Sequence, residues 1–324
     1  MKQKNPEEAK KTCEEIISTM RGAIVGKDAL LQKILAGFLA GGHILIEDVP
    51  GVAKTLIANC FAQVMDLDFG RVQFLPDLLP GDITGGYFYD ARTGEFVFRK
   101  GPLFTGLLLA DEVNRGTPKT QSALLEAMQE RRVTVEGNTF DLPQPFLVIA
   151  TQNPIEFDGT YPLPEAQLDR FIMRLEVGYP TIEEEAEVLY NRTKRSQDEI
   201  SLTKTISRDE FTHLQVMAED IYIHKDILDY ISRLTQATRG LDYVEVGASP
   251  RGSLAIFKLC RALALIKGRD FVIPEDIKEV IKPALVHRII LTPEARIERR
   301  SITKLIDQVL REVTPPPIHG REPS

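Results

Sequence analysis

The segment with the clearest chemical potential is a loop that runs from Asp48 to Thr55. A short apolar run before it, residues 43–46, predicts a buried strand, and the pattern after it predicts a helix from Leu56. A strand, a loop ending in Lys-Thr and a helix are typical of phosphate-binding loops, in which backbone N–H groups face phosphate oxygens. We therefore predict a phosphate site, the alternative being an ordinary strand–helix turn, formed by Val49, Pro50, Gly51, Val52, Ala53, Lys54, Thr55 and Leu56.

Four residues of this loop decide its chemistry. The Lys54 ammonium can reach β- and γ-phosphates, and the Thr55 hydroxyl can bind Mg²⁺. Asp48 and Ala53 stand where the G-x-x-x-x-G-K-[ST] pattern has glycine. The Asp48 carboxylate would repel phosphates unless it points away, so its direction bears on the hydrolytic rate rather than on nucleotide binding.

Two further apolar runs end in polar side chains. Residues 107–110 are followed by Asp111 and Glu112, and residues 146–152 end beside Asn153. The carboxyl ends of parallel strands line one crevice in an open α/β sheet. There Asp111 would hold Mg²⁺ through water, Glu112 would polarise an attacking water, and Asn153 would bind that water and the γ-phosphate. A solvated acidic turn and a turn-forming asparagine are the alternatives.

The elements that must position these residues divide the chain. Residues 1–22 predict an N-terminal helix, and strand and helix signals alternate over 23–180, which indicates an α/β core with a mainly parallel sheet between helices. Residues 181–313 are helix-patterned, with capping boxes at Thr181 and Ser207, and predict a separate all-helical domain. The proline-rich residues 314–324 are expected to be disordered.

Composition excludes several classes of protein. The 324 residues include 47 acidic and 40 basic side chains, and the net charge of −7 argues against nucleic acid as the main partner. The apolar runs are too short to insert into a membrane, and no secretion or lipidation signal is visible. Three widely spaced cysteines, Cys13, Cys60 and Cys260, favour a reducing compartment. We expect a cytoplasmic protein.

Four motifs occur in order and resemble those of the MoxR family of AAA+ ATPases, in the helix-2-insert clade: Asp48–Thr55, Ala110–Arg115, Ala150–Pro154 and Leu163–Phe171. The resemblance extends over about residues 24–295. It implies an AAA+ P-loop core with a C-terminal helical lid, hydrolysis of ATP with Mg²⁺, and assembly of identical subunits into a ring, usually a hexamer.

The resemblance also implies individual roles at the carboxyl ends of the strands. Lys54 and Thr55 would belong to the Walker A motif, Asp111 and Glu112 would form Walker B, and Asn153 would be sensor 1.

Two arginines and one dipeptide complete the implied site. Arg170 would be an arginine finger that enters the neighbouring subunit's site, Arg251 would be sensor 2, and Val25-Gly26 would contact adenine. Ser249-Pro250 independently places Arg251 in the first turn of a helix, aimed back across the cleft between the domains. An internal salt bridge for Arg170 and a surface position for Arg251 are the alternatives.

Two insertions are predicted to be β-hairpins, at about residues 85–100 and 132–140. The first is dense in aromatic residues and matches the position of the helix-2 insert, which suits a partner or subunit surface, although both hairpins could pack on their own domain. A basic stretch, residues 288–304, is predicted to pair with the acidic residues 183–187 rather than with nucleic acid.

Two functional hypotheses follow. The first is an ATP-hydrolysing, chaperone-like remodeller or maturation factor for a protein partner, which the resemblance suggests to be a von Willebrand factor A domain protein. The second is a nucleotide-dependent binding switch or scaffold with very low turnover. The set of Glu112, Asn153, Arg170 and Arg251 favours the hydrolase.

Overall fold

A computed structural model describes residues 5–48, 51–153 and 160–318. The predicted loop residues Val49 and Pro50, and residues 319–324 of the predicted tail, lie outside them. The helices of the first half are α1 (Pro6–Arg21), α2 (Asp28–Leu39), α3 (Lys54–Val64), α4 (Pro80–Thr84), α5 (Pro118–Glu130) and α6 (Glu165–Leu168). Those of the second half are α7 (Ile182–Arg195), α8 (Arg208–Glu219), α9 (Lys225–Ala237), α10 (Pro250–Ile266), α11 (Pro274–Leu285), α12 (Pro293–Ile297) and α13 (Ile302–Glu312).

The strands form one central sheet and three small ladders. They are β1 (Ile44–Glu47), β2 (Phe69–Gln73), β3 (Gly85–Asp90), β4 (Glu95–Lys100), β5 (Leu107–Asp111), β6 (Arg132–Val135), β7 (Asn138–Asp141), β8 (Leu147–Gln152), β9 (Met173–Leu175), β10 (Val244–Val246) and β11 (Ile290–Leu291). The central sheet has five strands in the order β2-β5-β8-β1-β9, and every pair in it is parallel. All its strands therefore end at one edge, the carboxyl edge, and begin at the opposite one, the amino edge.

Helices cover both faces of this sheet, which is the predicted fold class. The apolar runs of β5 and β8 are buried because both faces of a parallel sheet are covered. Helix α5 begins where the sequence indicates, since Thr117 caps it and Pro118 is its first residue.

The second half of the chain packs directly on the first. One hydrophobic cluster joins apolar residues of α1, α2 and α3 to those of α8, α9, α10 and α11, and a second cluster lies on the other face of the sheet around α5. The helical second half therefore shares a continuous core with the half that contains the central sheet. The cysteines Cys13, Cys60 and Cys260 are free and buried.

The lid differs in two ways from the sequence-based expectation. It is helical apart from a short antiparallel pair, β10 with β11, whose strands have only three and two residues and so leave little pattern to detect. The predicted pairing between the basic stretch and residues 183–187 is wrong. Arg288 and Arg296 instead form salt bridges with carboxylates nearer to them, those of Asp169, Glu165 and Glu245.

Both insertions form hairpins. In the first, β3 pairs with β4 and Gly94 adopts a positive φ of 75° in the turn; in the second, β6 pairs with β7 through Glu136 and Gly137, both with positive φ. The two hairpins touch, because the Phe98 and Phe140 rings stack with centroids 4.0 Å apart. None of the helices in the described ranges is long and apolar enough to cross a membrane.

Candidate active site

The phosphate-binding loop lies at the carboxyl edge of the sheet. It begins where β1 ends and leads into α3, which starts at Lys54 and continues through Thr55 and Leu56. Ala53 caps this helix in the left-handed conformation, with φ 57°, which explains why glycine is usual at this position. An alanine there costs on the order of 1 kcal/mol and is compatible with the loop.

The Asp48 carboxylate points away from the loop. Its Oδ2 accepts hydrogen bonds from the backbone N–H groups of Val177 (2.7 Å) and Gly178 (2.6 Å), which follow β9. The repulsion expected between this carboxylate and a phosphate is therefore weaker, because the carboxylate points away from the loop and is bound by two N–H donors. In place of its side chain, Asp48 offers its backbone oxygen, which accepts a 2.9 Å hydrogen bond from Lys54 Nζ.

The Lys54 ammonium lies among carboxylates. Burial lowers the pKa of Lys54, while the charges of Asp48, Asp111 and Glu112 act in the opposite direction. The carboxylates thus help to keep the ammonium charged in a partly desolvated site, where it is available to a phosphate oxygen.

Asp111 and Glu112 are joined to the neighbouring strand by one hydroxyl. Thr151 Oγ donates to Asp111 Oδ1 (2.7 Å) and accepts from the Glu112 backbone N–H (2.8 Å). This bridge fixes the end of β5 against β8, which brings the two carboxylates to the strand end that precedes Asn153. Asn153 is itself buried, and its backbone oxygen accepts from Asn114 Nδ2 (3.4 Å).

Two side chains hold the Glu112 carboxylate. Its Oε2 accepts from Gln73 Nε2 (2.7 Å) and from Arg115 Nη1 (2.9 Å). Glu112 also has a left-handed backbone, with φ 54° and ψ 51°, and such strain in a non-glycine residue is common at functional sites. Its direction is therefore set on both sides, by the backbone and by its partners.

Arg71 is a neighbour of the site that the motifs did not predict. Its Nη2 lies 2.8 Å from Asp111 Oδ2, on the oxygen that Thr151 does not use. Arg71 and Gln73 are two residues apart on β2, so their side chains lie on the same face of the sheet, and Gln73 is in register with Asp111. A signal for both residues was present in the sequence, since polar side chains two apart at a strand end share one face.

The predicted adenine-contacting residues, Val25 and Gly26, lie beside the junction between core and lid. Lys27 Nζ donates to the Tyr179 backbone oxygen (3.1 Å), one residue beyond the Gly178 N–H that binds Asp48. Gly26 has φ 71°, and a Cβ there would lie 1.8 Å from Oε1 of Glu184 on α7. Glycine is therefore favoured at this position. The connector that follows β9 contacts both this segment, through Tyr179, and Asp48, which begins the phosphate-binding loop.

Arg170 and Arg251 lie at the other edge of the sheet. Arg170 precedes β9, and Arg251 is the second residue of α10, which Ser249 caps as predicted. Both line a pocket of about 350 Å³ together with Gly41, Gly42 and His43, which precede β1. The lining includes a single carboxylate, that of Asp169. It also includes five basic side chains, those of Arg131, Arg170, Arg251, Lys258 and Arg288.

The two groups of predicted site residues are separated by the length of the sheet. Ile44 of β1 is in register with Met173 of β9, so the residues before these strands lie at the amino edge. Extended chain from His43 to Asp48 spans roughly 16 Å. The structure therefore brings Lys54, Asp111 and Glu112 together at one edge, and Arg170 and Arg251 together at the other. Arg251 lines a pocket between the core and the lid, beside Asp169 and Arg170, at the edge opposite the phosphate-binding loop.

The carboxyl edge offers the donors and ligands that a magnesium-bound triphosphate requires. Among the described residues, no side-chain hydrogen bond caps the start of α3, and the first turn of a helix is a favourable site for phosphate. Lys54 supplies a cation, while the Thr55 hydroxyl and the Asp111 carboxylate are the oxygen ligands that Mg²⁺ prefers. The residues present fit this group.

Comparisons with known proteins agree with this arrangement. Residues 43–173 match the family described as "ATPase family associated with various cellular activities (AAA)", and residues 236–310 match the AAA lid domain. The chain is 45% identical to the protein named "Chaperone MoxR1" of Mycobacterium tuberculosis, over 95% of this chain and 84% of that protein. It is 46% identical to YeaC of Bacillus subtilis, over 90% of this chain and 91% of that protein.

A crystal structure of a protein from Cytophaga hutchinsonii has the same fold, with a TM-score of 0.90 and 42% identity over 96% of this chain and 97% of that one. The similarity extends through the sheet that carries both charged groups and through the lid that carries Arg251. The chain belongs to the MoxR family of AAA+ ATPases.

Proposed function

We propose that this chain hydrolyses ATP at sites completed by a second copy of itself, and that a ring of such copies, most simply a hexamer, remodels or matures a protein partner. The observation that carries the proposal is the separation of the two charged groups, with Lys54, Asp111 and Glu112 at the carboxyl edge and Arg170 and Arg251 at the amino edge.

The carboxyl edge binds the nucleotide in this proposal. The N–H groups of residues 51–54 and the Lys54 ammonium bind phosphate oxygens, Thr55 and Asp111 hold Mg²⁺, and Val25-Gly26 contacts the base. Bound Mg²⁺ neutralises charge on the β- and γ-phosphate oxygens.

Glu112 and Asn153 act on the attacking water. The Glu112 carboxylate, held by Gln73 and Arg115, accepts a proton from water, and the Asn153 amide orients that water.

The amino edge completes the site of a neighbour. Arg170 and Arg251 lie too far along the sheet to reach their own phosphate-binding loop, but a second copy placed head-to-tail would bring them to the γ-phosphate. Head-to-tail contacts between identical subunits close into rings. Of the two arginines, Arg170 is proposed as the finger, since its Nε is buried without a partner among the described residues.

A protein partner is supported by the exposed hairpin of β3 and β4. Its inner residues pack on the second hairpin, whereas Phe88, Tyr89 and Phe96 are exposed at 50%, 60% and 70%. Large exposed aromatics are typical of contact surfaces. The name of the M. tuberculosis relative, "Chaperone MoxR1", supports remodelling, and the family resemblance supports a von Willebrand factor A domain protein as partner and a cytoplasmic location.

The proposal is tested by mixing two inactive variants. Arg170→Ala should bind ATP almost normally but hydrolyse it roughly 10³-fold more slowly, which is the usual effect of removing an arginine finger. Lys54→Ala should lose its own nucleotide site and keep an intact Arg170. A mixture should regain partial activity, wherever an Arg170→Ala site meets the finger of a Lys54→Ala subunit.

Assembly is checked by sizing in the same experiment. Turnover per subunit of the unmodified protein should fall on dilution to monomer. If variants that co-assemble show no recovery, and turnover of the unmodified protein is independent of concentration, the shared site is wrong. If the unmodified protein binds ATP without measurable turnover in the assembled state, a binding switch replaces the hydrolase.

A further inference from the structure

Arg288 is the most completely bonded charged residue at the amino edge. It follows α11 in the lid, and its side chain is only 3% exposed. Its Nε donates to Asp169 Oδ1 at 2.6 Å, and its Nη2 donates to the backbone oxygens of Asp169 (3.0 Å) and Phe171 (2.7 Å). Its Nη1 donates to the backbone oxygens of Ile172 (3.2 Å) and Ala284.

These bonds use the entire donor capacity of the side chain. A guanidinium has five N–H groups, and each of the five bonds above takes one. Arg288 therefore has no donor left for a phosphate, although it lines the same basic pocket as Arg170. Its role must be carried out through other residues.

The acceptors of Arg288 surround the predicted finger. Asp169, Phe171 and Ile172 flank Arg170, so a lid residue 116 to 119 positions away from them holds the backbone from which Arg170 projects. His287 adds a bond of the same kind, from Nε2 to the Phe171 oxygen at 3.0 Å. Burial lowers the pKa of His287 well below its usual value, which keeps this ring neutral and able to donate.

Asp169 connects the same contact to Arg251. Its Oδ2 accepts from Ser249 Oγ at 3.1 Å, and Ser249 caps the helix in which Arg251 is the second residue. Arg251 Nε is 4.0 Å from the same oxygen. The buried Arg288–Asp169 pair therefore fixes both arginines of the amino edge relative to each other.

We propose that Arg288 is a positioning residue of the shared site: through Asp169 it orients Arg170 and Arg251 for the phosphates bound by the neighbouring subunit. This inference rests on the proposed function. A buried ion pair contributes little net stability compared with well-packed apolar residues, so accurate placement is the better explanation for its presence here. A displacement of about 1 Å at a catalytic group can cost ~10²-fold in rate.

Arg288→Lys tests the proposal, because lysine keeps the charge but cannot form five bonds in a planar arrangement. The expected result is a 10- to 100-fold lower kcat, with the KM for ATP changed less than threefold. The matched control is Arg261→Lys, a lid arginine that is 13% exposed and binds Glu219 and the Ile221 oxygen, away from the pocket. The control should keep wild-type kcat.

Mixtures separate positioning from a general loss of structure. Arg288→Lys should be defective only as a donor, so mixing it with Lys54→Ala should restore activity to the level of the mixture of Arg170→Ala with Lys54→Ala. Mixing it with Arg170→Ala should give no more activity than Arg288→Lys shows alone, because neither variant supplies a fully working finger. A merely structural defect would impair the nucleotide site too, and neither mixture would recover.

Asp169→Asn provides the same test if Arg288→Lys does not fold, since it removes the charge with little change in shape. Two results would overturn the role of Arg288. One is a wild-type kcat in the variant tested. The other is no recovery when that variant is mixed with Lys54→Ala, although the reference mixture, Arg170→Ala with Lys54→Ala, does recover. Failure of the reference mixture itself overturns the shared site instead.

Discussion

The two edges of the central sheet are built in opposite ways. At the carboxyl edge, groups of both signs compensate one another over short distances, as Arg71 does with Asp111 and Arg115 with Glu112. At the amino edge, five basic side chains share a pocket with one carboxylate, so the excess positive charge is compensated only in part. An excess of this kind suits a surface that meets a polyanion held by another molecule. This difference supports the proposal that each subunit carries two complementary half-sites.

Beyond the finger variant, the largest effect that would sharpen this comparison is expected for Glu112→Gln. Turnover should fall at least ~100-fold, because an amide cannot accept the proton of the attacking water. ATP binding should remain, since Lys54, Thr55 and Asp111 are unchanged. Steady-state hydrolysis and equilibrium nucleotide binding, measured on the same preparation, check the two parts.

The same variant tests whether the edges act independently. Its amino edge is intact, so mixing it with Arg170→Ala should give as much activity as mixing Lys54→Ala with Arg170→Ala. Glu14→Gln, on the exposed face of α1, is a control that should keep full turnover. Unchanged turnover in Glu112→Gln would remove this carboxylate from the mechanism.

The carboxyl edge was largely predictable from the sequence, and the amino edge was not. Asp111, Glu112 and Asn153 follow apolar runs, and the end of a parallel strand fixes where such residues lie. Arg251 was correctly placed in the first turn of a helix, yet the edge of the sheet that this helix faces depends on the contact between Arg288 and Asp169. That contact joins residues 119 positions apart, and no local pattern encodes it.

The direction of Asp48 was unpredictable for a related reason. Its partners are the backbone N–H groups of Val177 and Gly178, which every residue except proline possesses, so their side chains leave no signal. The partners of Glu112 are different, because Gln73 and Arg115 are polar residues near strand ends and could have been proposed as neighbours. Prediction therefore succeeds where chemistry resides in side chains at strand ends.

A smaller effect, on stability, is expected at the amino edge. Burial lowers the pKa of His43 to about 4, and its Nε2 lies 3.0 Å from the Met128 oxygen, to which the neutral ring donates. The unfolded chain takes up a proton near pH 6.5. Because the unfolded state binds more protons between these values, stability should fall as the pH falls from about 6.5 towards 4.

For this one ring the free energy of unfolding should fall by on the order of 1–2 kcal/mol between pH 6.5 and 5. Urea denaturation at both values measures it, and His43→Gln is the comparison, since glutamine does not titrate. The difference in stability between the unmodified protein and the variant should shrink as the pH falls. A difference that is the same at both pH values would show that His43 protonation does not contribute.

The smallest effect is expected at the carboxyl edge, from Arg71. Its guanidinium occupies one oxygen of Asp111 at 2.8 Å while the side chain is 49% exposed, and an exposed ion pair of this kind contributes about 0.5 kcal/mol. In Arg71→Gln the Asp111 carboxylate no longer has to give up this partner when Mg²⁺ binds. The Mg²⁺ concentration for half-maximal binding of a fluorescent ATP analogue should therefore fall two- to threefold, with Arg92→Gln, a change at a 92% exposed arginine of the first hairpin, as control. A higher Mg²⁺ requirement would mean that Arg71 helps to hold the nucleotide, and that compensation at this edge serves binding rather than competing with it.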